Sequence, residues 1–367
     1  MIHSTTASPN VIIYLPPGPL FQPSHQDDRE TGRDLTPQAL ASITSFTVVT
    51  INYRLGEVDR STAAAKEQNR QRCYKYPIPV HDTLAGFDWT LRNLEPSRLA
   101  VFGSHIGGSL ALMLALTEAQ SVQAVAALDP ICDWVGLDDY CTMAVKDIPR
   151  RTRKTVPEDL VPLLEMRYRL FRTPSGYFDA FASPVLFLRS AGRDTPRTFP
   201  KYLTGSEHPV PVLDLPPGTQ DEDDQLALWE SYALEEEDLD DDNDAEKRGG
   251  VHRRKALLRW PPYGLDYGLG KSGNSSRLGI GRLQMRLPST CIYVRSDPIS
   301  STSKRRTVLA RQASEMVSTM RRACFWGQGK SVADESVRLV DAGPGVASIR
   351  LAGEWLSEMM SKEDACM

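Results

Sequence analysis

Short apolar runs closed by glycine or proline alternate along this chain with stretches whose apolar residues recur every three or four positions. The first kind reads as buried strands and the second as amphipathic helices. Val11-Ile12-Ile13-Tyr14-Leu15 is a strand stopped by Pro16-Pro17-Gly18-Pro19, and Phe46–Tyr53 is a second, richer in β-branched residues. A helix follows from about Pro79 to Leu94, with Leu84, Phe87, Trp89 and Leu91 available for its apolar face. Then come a strand over Arg98–Phe102, a helix over Ser109–Leu116 and a strand over Val122–Leu128.

From about residue 205 the pattern fails. Residues 221–246 hold an acidic run, Lys247-Arg248 and Arg253-Arg254-Lys255 form a basic cluster, and Gly264–Gly281 is rich in glycine. Charge blocks and glycine together describe an insertion that buries little. Regular patterning returns with a strand over Thr290–Arg295 and a helix over 305–323 carrying Val308, Leu309, Ala313, Met316, Val317 and Met320. A strand over Ser336–Val340 and a helix over Ala352–Met360 complete it. The expected organisation is an α/β core in two parts, 1–204 and 286–367, around an insertion at 205–285. Alternation of strands and helices predicts a mostly parallel sheet with helices on both faces.

Between the 98–102 strand and the next helix lies Gly103-Ser104-His105-Ile106-Gly107-Gly108. This has the frame of a Gly-x-Ser-x-Gly nucleophile elbow, in which flanking glycines let strand and helix pass closely and the middle side chain stands exposed. With Gly103 and Gly107 flanking, and Gly108 following, the middle residue is His105. Ser104, a displaced alternative nucleophile, sits one residue early, where the turn aims its side chain inward.

Three stretches together resemble the α/β-hydrolase fold, and within it the hormone-sensitive-lipase-like (fold-3) esterases. Asn52-Tyr53-Arg54-Leu55 is similar to that family's Asp-Tyr-Arg-Leu strand end. Tyr76-Pro77-Ile78-Pro79-Val80-His81-Asp82 is similar to its proline-led helix before the elbow, and Gly103–Gly108 to its Gly-Asp-Ser-Ala-Gly-Gly elbow. The resemblance spans roughly 9–200 and 285–360. It implies a carboxylic-ester hydrolase scaffold, a small apolar or ester ligand, and a loop at Asp129-Pro130-Ile131-Cys132-Asp133-Trp134 bordering the acyl pocket.

The catalytic positions depart from the family. Its oxyanion loop, His-Gly-Gly-Gly, falls on Leu15-Pro16-Pro17-Gly18-Pro19, and proline has no N–H to give. Pro17 and Gly18 hold the oxyanion position. The last histidine is His252, and the position of the general base falls near Ala347-Ser348. For the orienting acid the sequence offers Asp297, after the 290–295 strand, with Asp194, after Val185–Leu188, as the alternative. Asp297 takes precedence because a helix, a strand and a final helix follow it. A carboxylate without nucleophile or base performs no acyl transfer. The expectation is therefore a catalytically impaired member used for ligand binding or interaction; the alternatives are an esterase with an unorthodox nucleophile, His105 or Ser104, and a decayed product. The family carries a cap segment and an opening hairpin before the first of these strands. Only about ten residues precede it here, so a sheet shortened at that edge, or an incomplete gene product, is expected.

Composition narrows the classes further. A net charge of −4 argues against a general nucleic-acid partner, which would need a basic face. The six cysteines are scattered without paired spacing, which fits reduced thiols and a cytoplasmic location, with the basic cluster at 247–255 leaving a nuclear address as the alternative. The start has no basic-then-apolar leader, and no apolar run reaches the roughly 18 residues of a membrane span. Neither a cofactor nor a metal is expected. The acidic run fails the calcium-loop spacing, since the required glycine and glutamate are Asn243 and Gly249. Gly270-Lys271-Ser272 fails the phosphate-loop spacing, because the leading glycine is Leu265.

Overall fold

The computed structural model describes residues 2–3, 8–18, 34–57, 73–143, 157–205, 207–214, 255–258, 260, 286–295, 307–326, 328–343 and 346–361. In chain order the strands are β1 (Ile2–His3), β2 (Asn10–Leu15), β3 (Thr47–Thr50), β4 (Gly56–Glu57), β5 (Cys73–Tyr74), β6 (Arg98–Ser104) and β7 (Ala124–Leu128). They continue with β8 (Thr142–Met143), β9 (Lys201–Gly205), β10 (His208–Asp214), β11 (Ser289–Arg295) and β12 (Val337–Ala342). The helices are α1 (Thr36–Thr44), α2 (Ile78–Leu94), α3 (Ile106–Thr117), α4 (Leu160–Leu170), α5 (Val308–Cys324), α6 (Lys330–Ser336) and α7 (Val346–Ser361).

Seven strands form the main sheet in the order β1-β3-β2-β6-β7-β11-β12. β1 runs antiparallel to β3, and the other neighbours pair in parallel. Parallel strands covered on both faces read as continuous apolar runs, which is why Val11–Leu15 and Ala124–Leu128 are buried at every position. On one face, Leu40 of α1 and Ala352, Leu356 and Met360 of α7 pack on Ile12, Tyr14, Phe102 and Ala126. On the other, α2, α3 and α5 cover the alternate positions, with Leu112 and Leu116 against Met316 and Met320. α3 is buried around its whole circumference from Ile106 to Leu116, so it forms the centre of the helical layer and carries no polar stripe.

After β2 the chain turns outward to β3; after β6 it proceeds the other way, to β7 and β11. The loops following β2 and β6 therefore meet at a reversal of strand order, the place where open α/β sheets bind ligands.

Several elements differ from the pattern-based expectation. The apolar run Val185–Leu188 belongs to a 3₁₀ turn, Pro184–Phe187, and is no sheet strand. The elbow helix starts at Ile106, three residues before the predicted Ser109. α1 and α4 lie where no helix was predicted. Structure also continues past residue 205, since β10 pairs with β9 and β8 in a second, three-stranded sheet. Residues 255–258 bridge back to the core: Leu257 pairs with Arg189, and Lys255 donates to Asp139 at 2.8 Å. Trp260, also within the predicted insertion, is buried and donates from its indole to the carbonyl of Leu116. The acidic run, the glycine-rich stretch and the basic cluster up to Arg254 lie outside the described residues.

Candidate functional site

His105 stands between β6 and α3 with φ 50° and ψ −112°, a conformation that L residues rarely hold. The flanking glycines make this turn sterically feasible. A Cβ on Gly103 would lie 2.1 Å from the carbonyl oxygen of Gly107, and one on Gly107 would lie 2.2 Å from that of Leu15. The turn is pinned by the His105 N–H donating to Leu128 O at 2.9 Å. Ser109, in the first turns of α3, donates its hydroxyl to Ile131 O at 2.6 Å and accepts from Ile131 N–H at 3.0 Å. The elbow is thereby tied to the loop after β7.

Three strand ends bring three polar side chains together here. Arg295, the last residue of β11, places Nη2 2.7 Å from His105 Nε2. Its Nε binds Asp129 Oδ2, and its backbone N–H donates to Asp129 Oδ1 at 2.9 Å. Asp129 follows β7 with φ 44° and is buried, its N–H donating to Tyr293 O at 2.8 Å. A guanidinium only donates, so Nε2 of His105 is the acceptor and the proton of the neutral ring sits on Nδ1. Burial, and then the positive charge of Arg295, push His105 down to about 3, so the imidazole is uncharged near neutral pH.

The other sequence-predicted residues fall in separate places. Ser104 is the final residue of β6, buried, and shares a face with Phe102 and Tyr14. It lies beside Tyr14, whose hydroxyl donates to Asp34 at 2.5 Å. The serine therefore lies under α1, away from the elbow's open side. Pro16, Pro17 and Gly18 follow β2 beside the elbow. Pro16 O accepts from the Tyr53 hydroxyl, and Gly18 takes φ 86° where a Cβ would meet Leu55 at 3.1 Å. Asp194 is exposed and follows a 3₁₀ turn instead of a sheet strand. Asp297 lies outside the described residues. In the first turn of α7, where the general base was expected, Ala347 is exposed and Ser348 is buried, and neither side chain can take up a proton near neutral pH.

Beside the elbow is an apolar cavity of about 40 Å³, walled by Leu55, Tyr76, Ile106, Trp134, Phe171 and Phe181. Its aromatic wall is self-supporting: the Phe171 ring lies 5.5 Å from Tyr76 and 5.6 Å from Trp134, centre to centre. A buried ion network holds that wall from behind. Arg167 donates to Trp134 O at 2.8 Å and to Asp138 at 2.7 Å, and stacks over Tyr177 at 4.6 Å. Arg189 pairs with Asp133 at 2.5 Å, and Gln312 of α5 donates to Asp133 O at 2.6 Å. These contacts fix the 129–138 loop, whose Trp134 lines the cavity. Arg295 and the buried Arg167 were missed, because nothing in the order of residues marks an arginine that pairs across strand ends. Among the described residues no group of three His, Cys, Asp or Glu is placed to hold a metal, and no helix is long and apolar enough to cross a membrane.

No protein-family model and no curated protein matches the sequence. Solved structures do. Carboxyl esterase 2 from the mycorrhizal fungus Tuber melanosporum shares 13% identity, covers 98% of this chain and 80% of its own, and superposes with a TM-score of 0.45. A hormone-sensitive-lipase homologue from a metagenome library shares 14%, covering 98% of this chain and 82% of its own, with a TM-score of 0.45. An esterase of the bacterial hormone-sensitive lipase family shares 14%, covering 96% and 78%, with a TM-score of 0.43. By its mostly parallel sheet, the tight strand-to-helix turn at His105 and the helices on both faces, this chain has an α/β fold.

Proposed function

We propose that this chain uses an α/β-hydrolase scaffold for binding and does not perform serine-dependent ester hydrolysis. One observation carries the reading: the elbow presents His105, with its accepting nitrogen 2.7 Å from a guanidinium, where a hydrolase presents a serine hydroxyl. Three others support it. Ser104 is buried at the end of β6, prolines fall on the stretch that the resemblance matches to the oxyanion loop, and Ala347-Ser348 fall where the resemblance puts the base. Losing one oxyanion donor alone typically costs about 10²–10³ in rate. The apolar cavity beside Ile106 is the binding element, and its size and lining suit a small uncharged group such as the acyl part of a short ester. The free thiols of Cys132, Cys141, Cys291 and Cys324 support a reducing, cytoplasmic setting.

Fluorophosphonate labelling of the purified chain with peptide mapping tests the loss of serine chemistry. No serine is labelled if the reading holds, and a label on Ser104 overturns it. The binding half is tested by thermal shift with ethyl esters of short-chain acids. Stabilisation that disappears in Ala182→Leu, which fills the cavity wall, supports it; no shift at any concentration sinks it.

A further inference from the structure

We infer that Arg295 is an internal mask on a latent nucleophile: with Asp129 it holds the His105 imidazole by Nε2 and so suppresses acyl transfer to the elbow. This rests on the reading that the elbow performs no serine chemistry, and extends it to what His105 itself can do.

The strand-to-helix turn gives whatever side chain it carries the attacking position, and here that side chain is a neutral imidazole with its lone pair on Nε2. Free neutral imidazole attacks activated esters readily. The 2.7 Å approach of Arg295 Nη2 to Nε2 engages that lone pair and blocks this attack. The arginine is held in that pose from two sides. Asp129 binds both its Nε and its backbone N–H, and Asp129 is itself fixed by its buried position and its N–H bond to Tyr293 O. Among the described residues, Arg295 from β11 and, behind it, Asp129 from the end of β7 bring opposite charges to this side of the imidazole. They compensate one another, so the guanidinium has no electrostatic reason to leave. Ile106, the next residue, lines the apolar cavity, which places an acyl group bound there beside the elbow.

With the mask removed, the step is an ordinary acyl transfer. Nε2 attacks the carbonyl carbon of 4-nitrophenyl acetate, the carbon–oxygen bond to the leaving group breaks, and 4-nitrophenolate departs with the electron pair. The product is an Nε2-acetylimidazolium that sheds its Nδ1 proton to water. Water then hydrolyses the acetylimidazole to acetate and restores the ring. No oxidant, metal or second substrate is needed.

The experiment compares the native chain with Arg295→Met and with the double variant Asp129→Asn/Arg295→Met. The double variant avoids leaving a buried carboxylate unpaired if the single variant folds poorly. Each receives 4-nitrophenyl acetate, with 4-nitrophenolate release followed by absorbance and the acetyl group located by mass spectrometry. Masking predicts slow acetylation of the native chain. In the variants, acetylation at His105 is faster by about tenfold or more, the factor set by one hydrogen bond to a charged donor. That gain is abolished by adding His105→Ala. Parallel titration of the His105 ring protons by NMR shows its protonation moving up in pH in the variants. Folded variants whose His105 acetylates no faster than the native chain overturn the proposal. That outcome leaves the fluorophosphonate result untouched, since one experiment reads serine and the other reads imidazole.

Discussion

At the scale of single residues, the backbone of the elbow demands more than its side chains do. His105 holds a positive φ, which costs on the order of 1–3 kcal/mol for a non-glycine residue and persists only where neighbours over-determine it. Those neighbours are Gly103 and Gly107. Replacing Gly107 by alanine puts a methyl 2.2 Å from a strand carbonyl, backbone against backbone, so no rotamer relieves it. Chemical denaturation will show a loss of at least about 1–3 kcal/mol. His105 also sets a pH dependence. Its folded value, about 3, lies below its ordinary 6.5, so as pH falls the unfolded chain takes up this proton first. Its contribution to stability is complete above about 6.5 and is lost as pH falls toward about 3. His105→Asn keeps an acceptor for Arg295 and a residue tolerant of positive φ. Its stability curve will be flatter over that window, by up to about 1.4 kcal/mol per pH unit for one proton. An unchanged slope would show that His105 titrates as it does in the unfolded chain.

At the scale of elements, the 129–138 loop depends on charges that are almost wholly removed from water. Arg167 projects from α4 and is buried beneath that loop, paired with Asp138 and bonded to Trp134 O. Breaking a buried pair from one side leaves an uncompensated charge and costs about 3–5 kcal/mol. Asp138→Ala will therefore unfold at markedly lower denaturant than the native chain, and will lose any thermal shift from short esters, because Trp134 walls the cavity. A stable Asp138→Ala protein that still binds would mean the network does not position the wall. The same arginine explains why α4 was not legible. A charged residue buried by its partner breaks the apolar period that marks a helix face. β10 was hidden for a related reason: Pro209 and Pro211 argue against a strand, yet a register irregularity between His208 and Val212 accommodates them. Val185–Leu188 shows the converse, an apolar run of strand-like composition that folds as a 3₁₀ turn after Pro184.

For the whole molecule, burial is concentrated in the centre of the sheet. β6 and β7 are flanked by strands on both sides and covered by α3 on one face and α7 on the other, whereas β9 is largely exposed. Amide exchange will be slowest in β6 and β7, tracking global unfolding, and fast in β9. Exchange in β9 as slow as in β6 would contradict this ranking. Leu112, fully buried where α3 meets the sheet and α5, is the corresponding core test: Leu112→Ala will lose about 2–5 kcal/mol.

The sequence alone determined what depends on neighbours along the chain. Apolar runs between glycines and prolines set the main strands, and Gly103-x-x-x-Gly107 set the elbow, because local sterics admit little else there. It also showed that the residue at the tip is a histidine and that prolines follow β2. Tertiary structure alone decided what that histidine meets. Arg295 lies 190 positions from His105 and 166 from Asp129. Only the order β6-β7-β11 in a parallel sheet brings their strand ends to one edge, where a guanidinium faces an imidazole. The inward direction of Ser104 follows from its place in the turn, but that Tyr14 of β2 lies beside it was settled by the pairing of β2 with β6. Pairings of this kind follow from the register of distant strands, which no local pattern of apolar and polar residues encodes.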